Sequence, residues 1–224
     1  MGLKINRKAE IISKVVFFTL LGAIILVLAK IYIWEIAYYQ NKTVETRTGE
    51  QAVITGISDP DLPDETRPSE KEIKNHKVAN TAPRYIEIGD DKSRVINVAA
   101  DNNQMPLPDN IFDINWYSNT GKPGQGKAII MSGIVEGAAQ KGAFSGLLEA
   151  QKGETITIET GDGKKYDYTI ANTAKIDREE TKNSLPELQA GKHDKETLIL
   201  LSLTKSSPES TTLDTAIIIQ ANLK

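Results

Sequence analysis

The feature that most constrains this chain is an uncharged apolar run near its N-terminus, at residues 15–29. Residues 31–34 extend it beyond a single lysine, and a helix needs about 20 mostly apolar residues to cross the hydrocarbon core of a bilayer. Three aromatic residues then stand where an interfacial belt is expected: Trp34, Tyr38 and Tyr39. The sequence therefore predicts a transmembrane anchor over residues 15–40.

The charges on either side of this run predict its orientation. Residues 1–14 carry four basic side chains against one acidic one, whereas Glu35 follows the run directly. Because basic residues stay on the cytoplasmic side, we expect a cytoplasmic N-terminus and an extracellular C-terminal domain. The alternative is a cleaved signal peptide, but such peptides have a shorter apolar region of ~7–15 residues and a small-residue cleavage site, which is missing here.

The stretch from residue 41 to residue 82 differs in composition from the residues after it. It is polar and is interrupted by Asp59-Pro60, Leu62-Pro63 and Arg67-Pro68. Such composition is typical of an extended linker. The sequence thus predicts a basic N-terminus at 1–14, the anchor at 15–40, a polar stalk at 41–82 and an outer domain at 83–224.

The outer domain shows strand patterns at short intervals. Apolar or alternating segments predict strands at residues 85–88, 95–98, 127–135, 154–160, 165–170, 196–203 and 216–223. Gly161-Asp162-Gly163 separates two of them and predicts a hairpin turn. Residues 144–151 and 184–190 predict short helical turns. About seven short strands with glycine and proline between them indicate an all-β barrel or sandwich.

No general catalytic or metal-binding pattern is visible in the residues. The chain has no cysteine and two histidines, His76 in the predicted stalk and His193 in a polar loop. The acidic pairs Asp90-Asp91 and Glu179-Glu180 are interpreted as solvated charges rather than calcium ligands. We therefore expect no cofactor and no metal. A net charge of −3 also disfavours nucleic acid as a partner.

The order of several segments nevertheless resembles the sortases, membrane-anchored cysteine transpeptidases of bacterial surfaces. The segments that carry the resemblance are the strand at 83–88, the passage from Trp116 to the Pro-Gly-Gln-Gly of 123–126, AIIMSGIVEG at 128–137, Gly142-Ala143-Phe144 with Leu147 and Leu148, the passage at 152–156, the hairpin at 163–168, LILLSL at 198–203 and the strand at 214–219. The resemblance implies a sortase-like closed β-barrel of about seven or eight strands with one or two short helices, preceded by the single transmembrane helix.

The departures from the family pattern lie at the positions that matter for catalysis. The resemblance implies a cysteine thiolate that attacks a Thr–Gly peptide, a histidine that protonates the leaving amine and an arginine that holds the oxyanion. The positions that match these residues are Leu203, Ile134 and Ala216, or Thr215 if the register slips by one. On this resemblance the chain has none of the family's catalytic groups.

The resulting hypothesis is a catalytically inactive sortase-like surface protein that binds a sorting-signal-like peptide or a surface protein. One alternative is a divergent transpeptidase or hydrolase that uses Ser202 or Ser132 as its nucleophile. Another is a structural β-domain without a peptide groove. The sequence also leaves open whether the catalytic positions decayed naturally or were altered deliberately, and it does not predict the oligomeric state.

Overall fold

The computed structural model of the chain describes residues 54, 56–57, 63–99, 104–190, 195–207 and 209–224. The strands in these residues are β1 (Gly56–Ile57), β2 (Pro83–Ile88), β3 (Asp91–Val98), β4 (Gln104–Met105), β5 (Asp113–Tyr117), β6 (Ile129–Gly133), β7 (Thr155–Thr160), β8 (Lys165–Asp177), β9 (Thr197–Thr204) and β10 (Thr215–Leu223). Helix α1 spans Glu70–Asn75 and α2 spans Thr181–Ala190, with 3-10 turns at Ser145–Leu148 and Arg178–Glu180.

Eight of these strands close into a barrel in the order β10-β8-β7-β2-β3-β5-β6-β9. The pairs β3–β5 and β6–β9 are parallel and the other barrel pairs are antiparallel, so the sheet is mixed. The predicted hairpin at residues 161–163 is confirmed, because β7 and β8 pair across it. The all-β prediction is confirmed as a closed barrel of eight strands.

One apolar cluster, the inner cluster, fills the barrel and receives side chains from all eight strands. Its main members are Ile86, Val95, Ile114, Trp116, Ile129, Met131, Phe144, Ile156, Ile158, Tyr168, Ile170, Leu198, Leu200, Ile217 and Ile219. In β7 the burial alternates between inward and outward residues, which is the pattern of a strand with one face in the core.

A second apolar cluster, the outer cluster, covers the outside of β5, β6, β9 and β10. Its members are Ile54, Ile57, Met105, Leu107, Ile111, Phe112, Tyr117, Ile130, Ile134, Leu185, Ile199, Leu201, Leu203, Ala216 and Ile218. All residues of β6 and β9 are buried, because one face of each strand meets the inner cluster and the other meets the outer cluster. This double burial explains why these strands read as unbroken apolar runs rather than as alternating ones.

The described part of the predicted stalk differs from an extended linker, because it packs on the barrel. Ile54 and Ile57 are buried, and β1 pairs in parallel with β4. Ser69 and Glu72 form a capping box at the start of α1, and the Arg84 guanidinium donates to the Lys74 and His76 carbonyl oxygens near its end. The polar composition reflects local capping and solvent-exposed surface, while a few apolar side chains hold the segment in place.

The predicted anchor at residues 15–40 lies outside the described residues. Within the residues described, no helix is both long enough and apolar enough to cross a membrane. The single described α-helix of more than two turns is α2, and it lies against the outer cluster through Leu185.

Candidate functional site

Three neighbouring strands bring together the three positions that the sequence analysis predicts to match catalytic residues. Ile134 directly follows β6, Leu203 lies near the end of β9, and Ala216 lies near the start of β10. Leu203 and Ala216 are paired directly across the antiparallel β9–β10 ladder. The parallel β6–β9 ladder pairs Ser132 with Leu201, so Ile134 and Leu203, each two residues further on, continue the same register. The three side chains therefore belong to one patch of the barrel wall.

This patch is buried and aliphatic. Ile134, Leu203 and Ala216 are 6 %, 4 % and 0 % exposed, and all three belong to the outer cluster. Burying an isoleucine or leucine side chain stabilises the fold by about 1.5–3 kcal/mol. The positions therefore contribute packing, and they offer no donor, acceptor or nucleophile from their side chains.

The backbone at the Ile134 position is held by the loop that follows it. The Phe144 amide donates to the Ile134 carbonyl oxygen at 2.9 Å, and the Gly142 amide donates to that of Val135 at 2.9 Å. A Cβ atom at Gly142 would lie 2.2 Å from the Ile134 carbonyl oxygen, so this close approach requires glycine. The glycine in the family-like Gly142-Ala143-Phe144 passage thus has a packing reason in this chain.

Short segments that are distant in sequence cover the patch. The Ile54 amide donates to the Gln189 side-chain carbonyl of α2 at 2.9 Å, and the Arg178 guanidinium donates to the Ile57 carbonyl oxygen at 3.2 Å. Leu185 of α2 and Met105 of β4 complete the cover, and both are fully buried. The surface of β9 and β10 at Leu203 and Ala216 is consequently shielded from solvent.

The two serines considered as replacement nucleophiles are both buried and both hydrogen-bonded to carbonyl oxygens. The Ser202 hydroxyl donates to the Gly133 carbonyl at 2.7 Å, and the Ser132 hydroxyl donates to that of Pro106 at 2.6 Å. Ser202 lies between Leu201 and Leu203, which face the outer cluster, so its side chain points to the opposite face of β9. A serine nucleophile needs a base to take its proton, and in the described residues these hydroxyls face carbonyl acceptors instead.

The histidines lie apart from this patch. The His76 ring bonds through Nε2 to the Val95 carbonyl oxygen at 2.9 Å, on β3, and burial lowers the pKa of this imidazole. His193 lies outside the described residues. Among the described residues, no group of three or more histidine or acidic side chains is placed to hold a metal ion. Of the acidic pairs, Glu179 forms an ion pair with Lys182 at its own surface turn.

One buried polar cluster was missed by the sequence reasoning. The Glu196 carboxylate, 4 % exposed, accepts the amides of Gly124 at 2.9 Å and Gly126 at 2.7 Å and the Tyr168 hydroxyl at 2.6 Å. Burial first, and then the bond to Glu196, raises the pKa of the Tyr168 hydroxyl far above its usual value. Gly124 and Gly126 have φ of +82° and +67°, which favours glycine at both. The cluster anchors the Pro-Gly-Gln-Gly loop. The one feature of the sequence that could have indicated it is a glutamate at the start of an apolar strand.

Comparison with known proteins gives one family match. A family model described as a sortase domain matches residues 87–223, which is more than half of the chain. A search of curated proteins finds no match.

Several solved structures are similar to the chain at low identity. Sortase A from Corynebacterium diphtheriae is 15 % identical, with 77 % of each chain covered and a TM-score of 0.49. The pilus-related sortase C of Group B Streptococcus is 11 % identical, with 75 % of this chain and 79 % of that chain covered and a TM-score of 0.49. Sortase C-1 from Actinomyces oris is 13 % identical, with 62 % and 72 % covered and a TM-score of 0.47.

Proposed function

The chain belongs to the sortase family, and from that premise we propose that it is a non-catalytic member that acts by binding at the bacterial cell envelope. The observation that carries the proposal is the patch of Ile134, Leu203 and Ala216, which is aliphatic and buried in a chain without any cysteine. Thiol transpeptidation needs a thiolate nucleophile, and no residue of this chain can supply one.

The energetics of the patch support loss of chemistry rather than its replacement. A buried polar catalytic set costs free energy unless every group has a partner, whereas aliphatic side chains at the same positions stabilise the fold. Catalytic groups that act as a unit contribute most of the rate enhancement together, so loss of nucleophile and acid leaves little activity. A retained barrel without its chemistry supports a binding or scaffolding role.

The serine-enzyme alternative has less support. Ser202 and Ser132 are fully buried, and each hydroxyl donates to a main-chain carbonyl oxygen rather than to a base. Deprotonation of either serine would need a nearby general base, and His76 bonds to β3, which β5 and β6 separate from β9.

The place of action follows from the predicted anchor. A span over residues 15–40 with basic residues before it would hold the barrel outside the cell. Protease treatment of intact cells tests this: the barrel should be digested while a tag at the N-terminus stays protected. Protection of the barrel in intact cells would contradict the proposed location.

Turnover assays test the lack of catalysis directly. We propose incubating the full chain, purified in detergent, with a peptide that contains a sorting-signal Thr–Gly bond, and following cleavage and acyl adducts by mass spectrometry. The expected result is no cleavage above the peptide alone, with an active cysteine sortase as the positive control. Turnover that disappears in Ser202→Ala or Ser132→Ala would overturn the proposal and establish the serine enzyme.

A further inference from the structure

A small cavity lies where the first residues of β3 meet the start of β5. Its volume is about 220 Å³, and its walls also include residues 67–68, which precede α1, and residues from the loop at 141–145. Pockets for drug-sized ligands have volumes of about 300–1,000 Å³. This cavity therefore suits one small chemical group rather than a whole large ligand.

The walls of this cavity carry more basic than acidic side chains. The basic members are Arg67, Lys92, Arg94 and Lys141, and the acidic members are Asp91 and Asp113. Lys92 is neutralised by Glu159 at 2.7 Å. Arg67 and Lys141 form no ion pair with any residue that the structure describes, and the exposed Asp91 offsets only one of these two charges. The excess of positive charge favours an anion in the cavity.

Two arginines are held beside the cavity in defined positions. The Arg94 guanidinium donates from Nε to one Asp113 carboxylate oxygen at 2.8 Å and from Nη2 to the other at 2.7 Å. Because a guanidinium has five N–H donors, this bidentate pair leaves the donors on Nη1 available. The Arg67 guanidinium lies 4.2 Å from the centre of the Phe112 ring, and this cation–π contact keeps it at the cavity.

The available donors favour a tetrahedral anion over a planar one. Asp113 already fills the two-pronged side of Arg94 that a carboxylate would bind. The other donors belong to separate segments: Arg67 precedes α1, Lys141 follows β6, and the Ser145 hydroxyl lines the cavity from the next turn. A phosphate group presents three acceptor oxygens in different directions, so it can accept from donors on several segments at once.

We infer that this cavity binds a phosphate group, which accepts hydrogen bonds from Arg67, Lys141 and Nη1 of Arg94. The inference is independent of the proposed lack of catalysis, because none of the three positions of the aliphatic patch lines the cavity. A free phosphomonoester and the phosphodiester of a polymer or a lipid headgroup present the same kind of oxygens. The structure therefore assigns the chemical group, and the experiment distinguishes its source.

Calorimetric titration of the full chain in a non-ionic detergent tests the site. The two probes are glycerol 3-phosphate, a phosphomonoester, and glycerophosphoglycerol, a phosphodiester. We expect saturable binding of at least one of them at one site per chain. Tighter binding of the monoester would indicate a free phosphorylated molecule as the source, whereas tighter binding of the diester would indicate a polymer or a lipid headgroup. Both results support the phosphate site.

Succinate is the control for the shape of the anion. It carries the same charge as glycerol 3-phosphate at pH 7.5, but its acceptors are planar carboxylates. It should bind at least about fivefold more weakly than the better phosphate probe, because it cannot accept from all the donors together. Succinate binding of equal affinity would overturn the assignment of a phosphate group, and so would a folded chain that binds neither phosphate probe.

Single substitutions locate the binding in the cavity. Arg67→Ala and Lys141→Ala should each weaken binding of the better phosphate probe by at least about fivefold, the effect of one lost charge-assisted hydrogen bond. Both side chains are exposed, so urea unfolding should show the stability of the natural chain. The matched control is Lys152→Ala, which removes an exposed lysine outside the cavity and should leave binding unchanged. Equal weakening by all three substitutions would show an effect of net charge alone and would overturn the inference.

Discussion

The two faces of β9 each carry two buried leucines, and these leucines pack against different kinds of structure. Leu198 and Leu200 point into the barrel, whereas Leu201 and Leu203 point into the outer cluster, and all four are 4 % exposed or less. Eight strands enclose the inner face, but short segments cover the outer one. The inner face therefore closes the barrel, and the outer face carries Leu203 and Ala216, two of the positions predicted to match the family's catalytic residues.

Strand β7, on another part of the barrel, shows what an uncovered outer face looks like. Its inward residues, Ile156 and Ile158, are buried, while Thr155 is exposed and Thr157 and Glu159 are partly exposed. Because only one face is covered, the sequence alternates there. The unbroken apolar runs of β6 and β9 thus indicate that their outer face is buried as well. The residues that bury this outer face are distant in the sequence.

Adjacent leucines of β9 give the largest expected effect. Leu200→Ala should lower the free energy of unfolding by about 4 kcal/mol, since the closed barrel cannot collapse around the cavity. Leu201→Ala should lower the free energy of unfolding by about 2.5 kcal/mol, because the short segments that cover the outer face can move into the cavity and partly fill it. Urea unfolding of both variants measures the difference.

Leu148→Ala serves as the control for these leucine variants, since Leu148 is 40 % exposed and should change stability by less than about 0.5 kcal/mol. Leu201→Ala could instead lower the free energy of unfolding as much as Leu200→Ala, or more. This result would show that the segments over the outer face are as rigid as the barrel. That outcome would remove the distinction between the two faces.

Most of the barrel follows from local patterns. The predicted segments at 85–88, 95–98 and 154–160 fall on β2, β3 and β7, and the helical turn predicted at 184–190 falls in α2. Strand β5 was not predicted, because Asp113 and Asn115 interrupt its apolar pattern. The structure explains their burial by partners elsewhere in the chain: Arg94 pairs with Asp113, and the Pro106 carbonyl accepts from Asn115.

The candidate site was predictable only in part. The family-like segments led to Ile134, Leu203 and Ala216, and register places them on one patch. The segments that bury this patch could not be predicted, because nothing in the sequence around Ile54 or Leu185 indicates which strands these side chains contact. Long-range contacts of short segments depend on the closed barrel, which exists only once the strands have paired.

The Glu196 cluster lies beside the inner cluster and should have an intermediate effect. Glu196→Gln removes one of the two carboxylate oxygens that accept the Gly124 and Gly126 amides. A buried donor left without its acceptor costs ~1–3 kcal/mol, so we expect a loss of about 2 kcal/mol in thermal or urea unfolding. The control is Glu154→Gln, whose carboxylate is exposed. An unchanged stability would mean that the loop holds its conformation without the carboxylate.

Tyr168 adds a pH dependence that is specific to the inner face. Burial raises the pKa of its hydroxyl, so the folded chain keeps this proton at pH values where the unfolded chain loses it. The stabilisation is complete below about pH 10 and declines as the pH rises above it. Tyr168→Phe should flatten this alkaline loss in urea unfolding between pH 9 and 11, relative to the natural chain. Equal slopes in the two chains would contradict the assignment.

His76 should give the smallest effect, because it is only half-buried where its ring meets β3. Burial lowers the pKa of its imidazole, with Arg94 and Arg84 acting in the same direction against the Val95 carbonyl. The unfolded chain therefore binds the proton first, and this group's stabilisation is present above about pH 6.5 and declines as the pH falls below it. His76→Gln should make the unfolding free energy less sensitive to pH between 7 and 5. His76 is half-buried, so we expect a smaller loss of unfolding free energy for His76→Gln than for Leu201→Ala. An equally large loss would show that the contacts around α1 stabilise the barrel as much as the outer cluster does.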